Sequence, residues 1–181
     1  MNRLRTGLTL VVLVELALLE ALLYEREVPP AANENAVPEL PSFALACSRS
    51  APEGFDELVR AAATEFGINP NVLAVTVYRE SGCNAQALGS SGEISLAQVH
   101  PKVWTSTLVK EGIIVRAKDL WDPATNLRAG AYILSRLSTA AEGDTFEMFR
   151  RYNGSGPKAR KYAREQLEAL SSLVSLEPVA P

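Results

Sequence analysis

From Phe55 to Leu170 apolar residues return every three or four positions, and that period constrains the fold more than any other feature of the chain. Phe55, Leu58, Val59, Ala62, Ala63 and Phe66 form one helical stripe that Gly67 stops. Asn69-Pro70 then opens a second helix, with Asn as cap and Pro in the first turn, where its missing N–H costs nothing. Gly82 ends that helix. Asp122-Pro123 repeats the signal and starts the longest periodic segment, with Leu127, Ala131, Leu134, Leu137 and Ala141 inward. Asp144 and Glu147 read as a capping box for a helix through Phe149 to Tyr152, closed by Gly154. A last helix over about 157–170 places Tyr162, Gln166, Leu167 and Leu170 along one side. Shorter helices are predicted over Ser95 to Val99 and around Val103, Trp104 and Leu108. No segment has the alternation of a strand or the flanks of a hairpin, so the expected fold class is all-α, a compact helical cluster.

The 181 residues, 47% of them hydrophobic, suffice for one domain with a sizeable core. With 18 basic and 21 acidic residues there is no basic excess to bind phosphate, so nucleic acid is not an expected partner. Residues 1–24 stand apart: two arginines in MNRLR precede the apolar run TGLTLVVLVELALLEALLY, which Glu15 and Glu20 interrupt. The run reads as a signal peptide or membrane anchor, with an amphipathic soluble helix as the alternative. Residues 25–46, with Pro29, Pro30, Pro38 and Pro41 and no periodicity, read as a flexible linker. The folded domain is expected over 47–171, with a loose tail over 172–181. Cys47 and Cys83 are an even pair, fit either for a disulfide in an oxidising compartment or for two small buried thiols.

Leu73, Val77 and Glu80 share one side of the second helix, so a carboxylate stands in line with core-facing residues at the helix end. Unpaired carbonyls there disfavour negative charge, and partial burial disfavours it again. Both effects raise the pKa of Glu80. A carboxyl group kept protonated near neutral pH can give its proton to a leaving oxygen, the general-acid step of glycoside cleavage.

The residues around Glu80 give this reading a context. Glu80-Ser81, Asn84, Ala87, Ser90-Ser91, Gly92, Leu96, Gln98 and Pro101 resemble the signature of the soluble lytic transglycosylases, relatives of goose-type lysozyme. Two later blocks follow in order: Asp122-Pro123, Asn126, Gly130 and Tyr132, then Tyr152-Asn153-Gly154 with Gly156. The resemblance implies a lysozyme-like helical domain whose cleft binds peptidoglycan glycan and cuts between N-acetylmuramic acid and N-acetylglucosamine. Glu80 would protonate the glycosidic oxygen while the sugar's own acetamido oxygen attacks the anomeric carbon. The resulting carboxylate would then take the C6 hydroxyl proton as a 1,6-anhydro ring closes. By the same resemblance Ser91 helps hold the acetamido group, Gln98 is a sugar-binding amide, Tyr152 brings a hydroxyl close to the acid, and Asn153 shapes the turn beside it. No metal or cofactor is expected. The setting implied is the periplasm or cell envelope, possible partners being an envelope-spanning secretion machine and, through residues 1–24, the inner membrane.

Three positions depart from the family pattern. Its second Gly is Ser95, its Met is Ala97, which would remove an apolar wall of the sugar site, and a small residue is replaced by Glu93. Glu93 reads first as a solvated loop acid; as a second carboxylate near the cleft it would instead activate water and make the domain a hydrolytic muramidase. A catalytically silent peptidoglycan-binding or assembly module is the other alternative. Trp104, Trp121 and Tyr78 are expected in the core rather than as sugar platforms. His100, with no second His or Cys nearby, is expected neither as ligand nor as base. The charges from Lys158 to Arg164 are expected to form a solvated helix face.

Overall fold

Asn69, Asp122 and Asp144 each hold a backbone N–H two or three residues ahead, and so fix where three helices begin. Asn69 accepts from Asn71 at 2.8 Å, Asp122 from Thr125 at 2.8 Å and Asp144 from Glu147 at 3.0 Å. Such caps contribute about 1 kcal/mol each. The structure, a computed structural model, describes Cys47 and residues 51–174; the predicted anchor over 1–24 and the linker over 25–46 lie outside the described residues. Within residues 51–174 six α-helices follow one another: α1 (Phe55–Glu65), α2 (Pro70–Ser81), α3 (Pro101–Lys110), α4 (Pro123–Ala140), α5 (Thr145–Asn153) and α6 (Gly156–Val174). A 3-10 turn, Ala117–Trp121, precedes α4. Among the described residues no strand forms, only the isolated antiparallel bridges Leu88 to Ile94 and Ile94 to Val99. The all-α expectation therefore holds.

Helix α4 is central, packing on α1, α2, α5 and the 3-10 turn, while α6 lies against α5 and α2. Leu73 and Val77 of α2 meet Leu127 and Leu134 of α4, with Leu120 and Phe149, in a core from which each is fully excluded from solvent. Each such leucine contributes about 1.5–3 kcal/mol through burial. Phe66 closes one edge with its ring against that of Tyr132, centroids 5.7 Å apart at 75°. Cys47 and Cys83 form a disulfide, Cα atoms 5.6 Å apart, which decides between the two readings of this pair.

Four expectations need correction. The predicted helix over Ser95 to Val99 is a tight turn. Ile94 and Val99 exchange N–H···O bonds of 3.0 and 3.1 Å, and Ser95 and Gln98 take left-handed φ values of 64° and 45°. The reason is a distant side chain: Asn126 of α4, fully buried, accepts from the Ala97 N–H at 2.8 Å and donates to the Ile94 and Leu120 carbonyls at 3.0 and 2.9 Å. Three buried bonds outweigh the weak helical preference of so short a segment.

The capping box at Asp144 is half formed. Glu147 does not return to the Asp144 N–H, which bonds the Ala141 carbonyl, because Arg150 and Arg151 hold its carboxylate at 2.6 and 2.7 Å. Helix α6 continues through Val174, past the point where a loose tail was expected. Of the aromatics expected in the core, Tyr78 is 49% exposed on the outward side of α2, while Trp104 is partly buried against the core as expected and also lines a cavity described below. Trp121 is partly buried against the core as expected.

Candidate active site

The end of α2 delivers Glu80 to the mouth of a cleft. Gly82 and Cys83 adopt successive left-handed conformations, φ 58° and 63°, which turn the chain sharply after Ser81. The disulfide fixes Cys83, and the Asn84 side chain accepts from the Gln86 N–H at 2.9 Å, so the following loop folds back. That loop and the 94–99 turn form one wall of a cavity of about 340 Å³. Glu80, Glu93, Gln98, Tyr152 and Asn153 line it, with His100 and Arg151. The apolar lining is Val99, Val103 and Trp104 on one side and Ile133 and Leu137 of α4 on the other. Leu137 is only partly buried because it faces this space.

Burial pushes the Glu80 carboxyl above its ordinary value; a hydrogen bond from Tyr162 and the charge of Arg79 pull the other way, and Glu93 adds a further upward push. The Tyr162 hydroxyl donates to Glu80 Oε1 at 2.6 Å and itself accepts from Gln166 Nε2 at 3.1 Å. Tyr162 is buried behind the acid and does not line the cavity. Arg79, beside it in sequence, is ion-paired to Glu165 on the same helix as Tyr162. The raised pKa of Glu80 thus has a physical cause, and the bond from Tyr162 orients its carboxyl group.

Glu93 is in the opposite state. Its own backbone N–H and that of Ser91, 3.0 Å from Oε2, hold its carboxyl below the usual range, helped by His100. Two carboxyls whose pKa values are pushed in opposite directions within a single cavity are the arrangement by which environment assigns separate roles to two acids.

The residues named from the sequence separate into those at the cavity and those away from it. Glu80, Gln98, Tyr152 and Asn153 share it; Ser91 is exposed and outside its lining. Gln98 donates through Nε2 to the Ser95 and Ala87 carbonyls at 2.8 and 3.3 Å, so it braces the loop and offers the cavity only an acceptor oxygen. The Tyr152 hydroxyl donates to the Ala97 carbonyl at 2.7 Å, and burial together with the Glu80 charge pushes its pKa up. Ala97 is fully buried and faces Gly130, where an added methyl would come within 2.7 Å of its Cβ. Position 97 therefore packs against α4, and its loss of bulk does not open the cavity wall. Tyr162 was not among the site residues read from the sequence. The available signal was a hydroxyl and an amide, Tyr162 and Gln166, four apart on an otherwise apolar helix face, since buried polar groups require partners.

A family model described as the transglycosylase SLT domain matches residues 57–172. Among solved structures, an inactive mutant of the lytic transglycosylase Slt from Pseudomonas aeruginosa is 19% identical with a TM-score of 0.61, over 72% of this chain and 26% of that one. The 70-kDa soluble lytic transglycosylase of Escherichia coli is 20% identical with a TM-score of 0.53, over 66% of this chain and 19% of that one. A complex of the 70-kDa soluble lytic transglycosylase with bulgecin A gives 18% and 0.53, over 70% and 22%. At these identities the likeness shows the fold, and this chain spans a minor part of each of those proteins. The family model covers well over half of the sequence, so the chain belongs to the transglycosylase SLT-domain family.

Proposed function

We propose that this domain is a peptidoglycan lytic transglycosylase that cleaves the bond between N-acetylmuramic acid and N-acetylglucosamine and leaves a 1,6-anhydromuramic end. The observation that carries the reading is Glu80: a carboxyl group whose pKa burial raises, oriented by Tyr162, and open to a cavity in a domain of this family. Its proton would go to the leaving glycosidic oxygen as the acetamido oxygen attacks the anomeric carbon. The carboxylate so formed would then accept the C6 hydroxyl proton during ring closure. Tyr152 and Asn153 close the same cavity and are the substrate contacts we assign, with Gln98 through its acceptor oxygen. Residues 1–24 would carry the domain to the cell envelope and, if retained, tether it to the inner membrane. There it would open the wall, alone or for an envelope-spanning machine.

The test is digestion of purified peptidoglycan followed by mass spectrometry of the products. We expect 1,6-anhydromuropeptides, and none from Glu80→Gln. Reducing-end products would make the domain a hydrolytic muramidase, a reading that the position of Glu93 in the cavity favours over any other alternative. Binding without cleavage by the wild-type protein would make it a silent wall-binding module.

A further inference from the structure

The acetamido group needs a hydrogen-bonding partner in the cleft, and the residue that sequence resemblance offers for it, Ser91, is outside the cavity lining. The Ser91 backbone N–H and side chain instead support Glu93, the N–H donating to Oε2 at 3.0 Å. The backbone of Glu93 is fixed as well, its carbonyl accepting from the Gly89 N–H at 2.8 Å. Gly89 leaves room for what gathers over it: a methyl group there would lie 2.2 Å from Glu93 Oε2 and 2.7 Å from Gln98 Oε1. The Gln98 amide donates to two loop carbonyls, so both oxygens that converge at this point are acceptors. Glu93 and Gln98 both line the cavity, so the pair offers it acceptors complementary to a donor on the substrate.

We infer that Glu93, with Gln98 Oε1 beside it, accepts the N–H of the 2-acetamido group on the muramyl residue whose bond is cut. The inference rests on the transglycosylase reading of the site. Holding the N–H at Glu93 turns the acetamido carbonyl oxygen toward the anomeric carbon. In the first step the bond from that carbon to the glycosidic oxygen breaks, its electron pair leaves with the oxygen, and Glu80 supplies the proton. The acetamido oxygen forms the new bond, giving an oxazolinium whose N–H is more acidic than the amide's. Its bond to the Glu93 carboxylate therefore tightens as charge develops, which lowers the barrier rather than merely binding substrate. In the second step the C6 oxygen displaces the acetamido oxygen, the neutral amide is restored, and the C6 hydroxyl proton passes to Glu80. Glu93 keeps its charge throughout and activates no water.

The experiment compares wild type, Glu93→Gln and Glu93→Asp on purified peptidoglycan, with product analysis, kcat, KM and thermal melting. Glu93→Gln removes the charge at constant size and is expected to lower kcat about ten- to a hundredfold, with KM nearly unchanged, 1,6-anhydro products retained and melting unaltered. Glu93→Asp keeps the charge on a shorter arm and should fall between the two, which keeps the question decidable if the Gln variant folds poorly. Kinetics of both variants equal to wild type would overturn the inference, as would a loss confined to KM. Reducing-end products from wild type that disappear in Glu93→Gln would assign Glu93 to water activation instead. Absence of any cleavage by wild type would fell the transglycosylase reading itself, whereas anhydro products with an indifferent Glu93 would fell this inference alone.

Discussion

Tyr162 donates its hydroxyl proton to Glu80 Oε1 at 2.6 Å across 82 residues of sequence, so α6 sets the orientation of a carboxyl group that α2 carries. This bond favours the charged carboxylate, opposing the burial that favours the acid. Tyr162→Phe should therefore raise the pKa of Glu80 further and move the alkaline limb of the kcat profile to higher pH. With the carboxyl group freed, kcat should fall about tenfold, toward the low end of what a positioned acid contributes. Gln166 Nε2 loses this partner as well, at a cost of about 1–3 kcal/mol in stability. A pH–rate profile that keeps its alkaline limb in place would show that the bond does not tune the acid.

The raised pKa of Glu80 also has a stability consequence of definite sign. Between the ordinary glutamate value of 4.5 and the raised one, the folded protein holds a proton that the unfolded chain releases, so stability falls as pH rises through that interval. Burial of the carboxyl dominates this balance, with Tyr162 and Arg79 opposing it and Glu93 adding to it. Glu80→Gln keeps an acceptor for Tyr162 and has no charge to bury. It should melt above wild type near neutral pH, and the difference should close below the ordinary glutamate range. Thermal melts at two pH values check this; a gap of equal size at both would contradict it.

Ser95 occupies a left-handed conformation at φ 64°, and its hydroxyl is buried without a partner. The backbone conformation costs a residue with a side chain roughly 1–2 kcal/mol, and the unpaired hydroxyl adds to that. Ser95→Gly removes both costs and loses about 0.5–1 kcal/mol through the greater freedom of glycine in the unfolded chain. The net expectation is a gain of about 1 kcal/mol, a few degrees in melting temperature. A lower melting temperature would mean that the serine hydroxyl has an unseen stabilising role.

Asn126→Leu keeps the size of a buried side chain and removes all three bonds to the 94–97 turn and Leu120. One N–H and two carbonyls then lose their side-chain partner, for a loss of about 3 kcal/mol. Cleavage should fall too, since Gln98 and the Ala97 carbonyl that accepts from Tyr152 belong to this turn. Urea denaturation alongside peptidoglycan digestion measures both, and a variant as stable as wild type would refute the pinning role.

What the sequence made legible was largely local. Asn69-Pro70 with Gly82, and Asp122-Pro123, marked helix ends because a cap and its N–H donor are neighbours in the chain. Glu80 was legible for the same reason, lying at a helix end on the line of Leu73 and Val77. The turn over 95–99 was not, because Leu96 and Val99 have a spacing that fits a helix and the side chain that decides otherwise is Asn126, some thirty residues on. Tyr162 was missed as a site residue because its partner is still farther away. Ser91 was named by resemblance, and the fold instead turns its backbone N–H to Glu93.

The bond between Cys47 and Cys83 changes how the chain would carry force. A pull applied to residues ahead of Cys47 enters the folded part at Cys83, three positions beyond Glu80. The stretch between the two cysteines, with α1 and α2 in it, is a closed ring beside the load path. A peptide-bond cut anywhere in that ring would leave the molecule in one piece, and releasing the leading residues from the end that holds Glu93 and Tyr162 would require reduction as well.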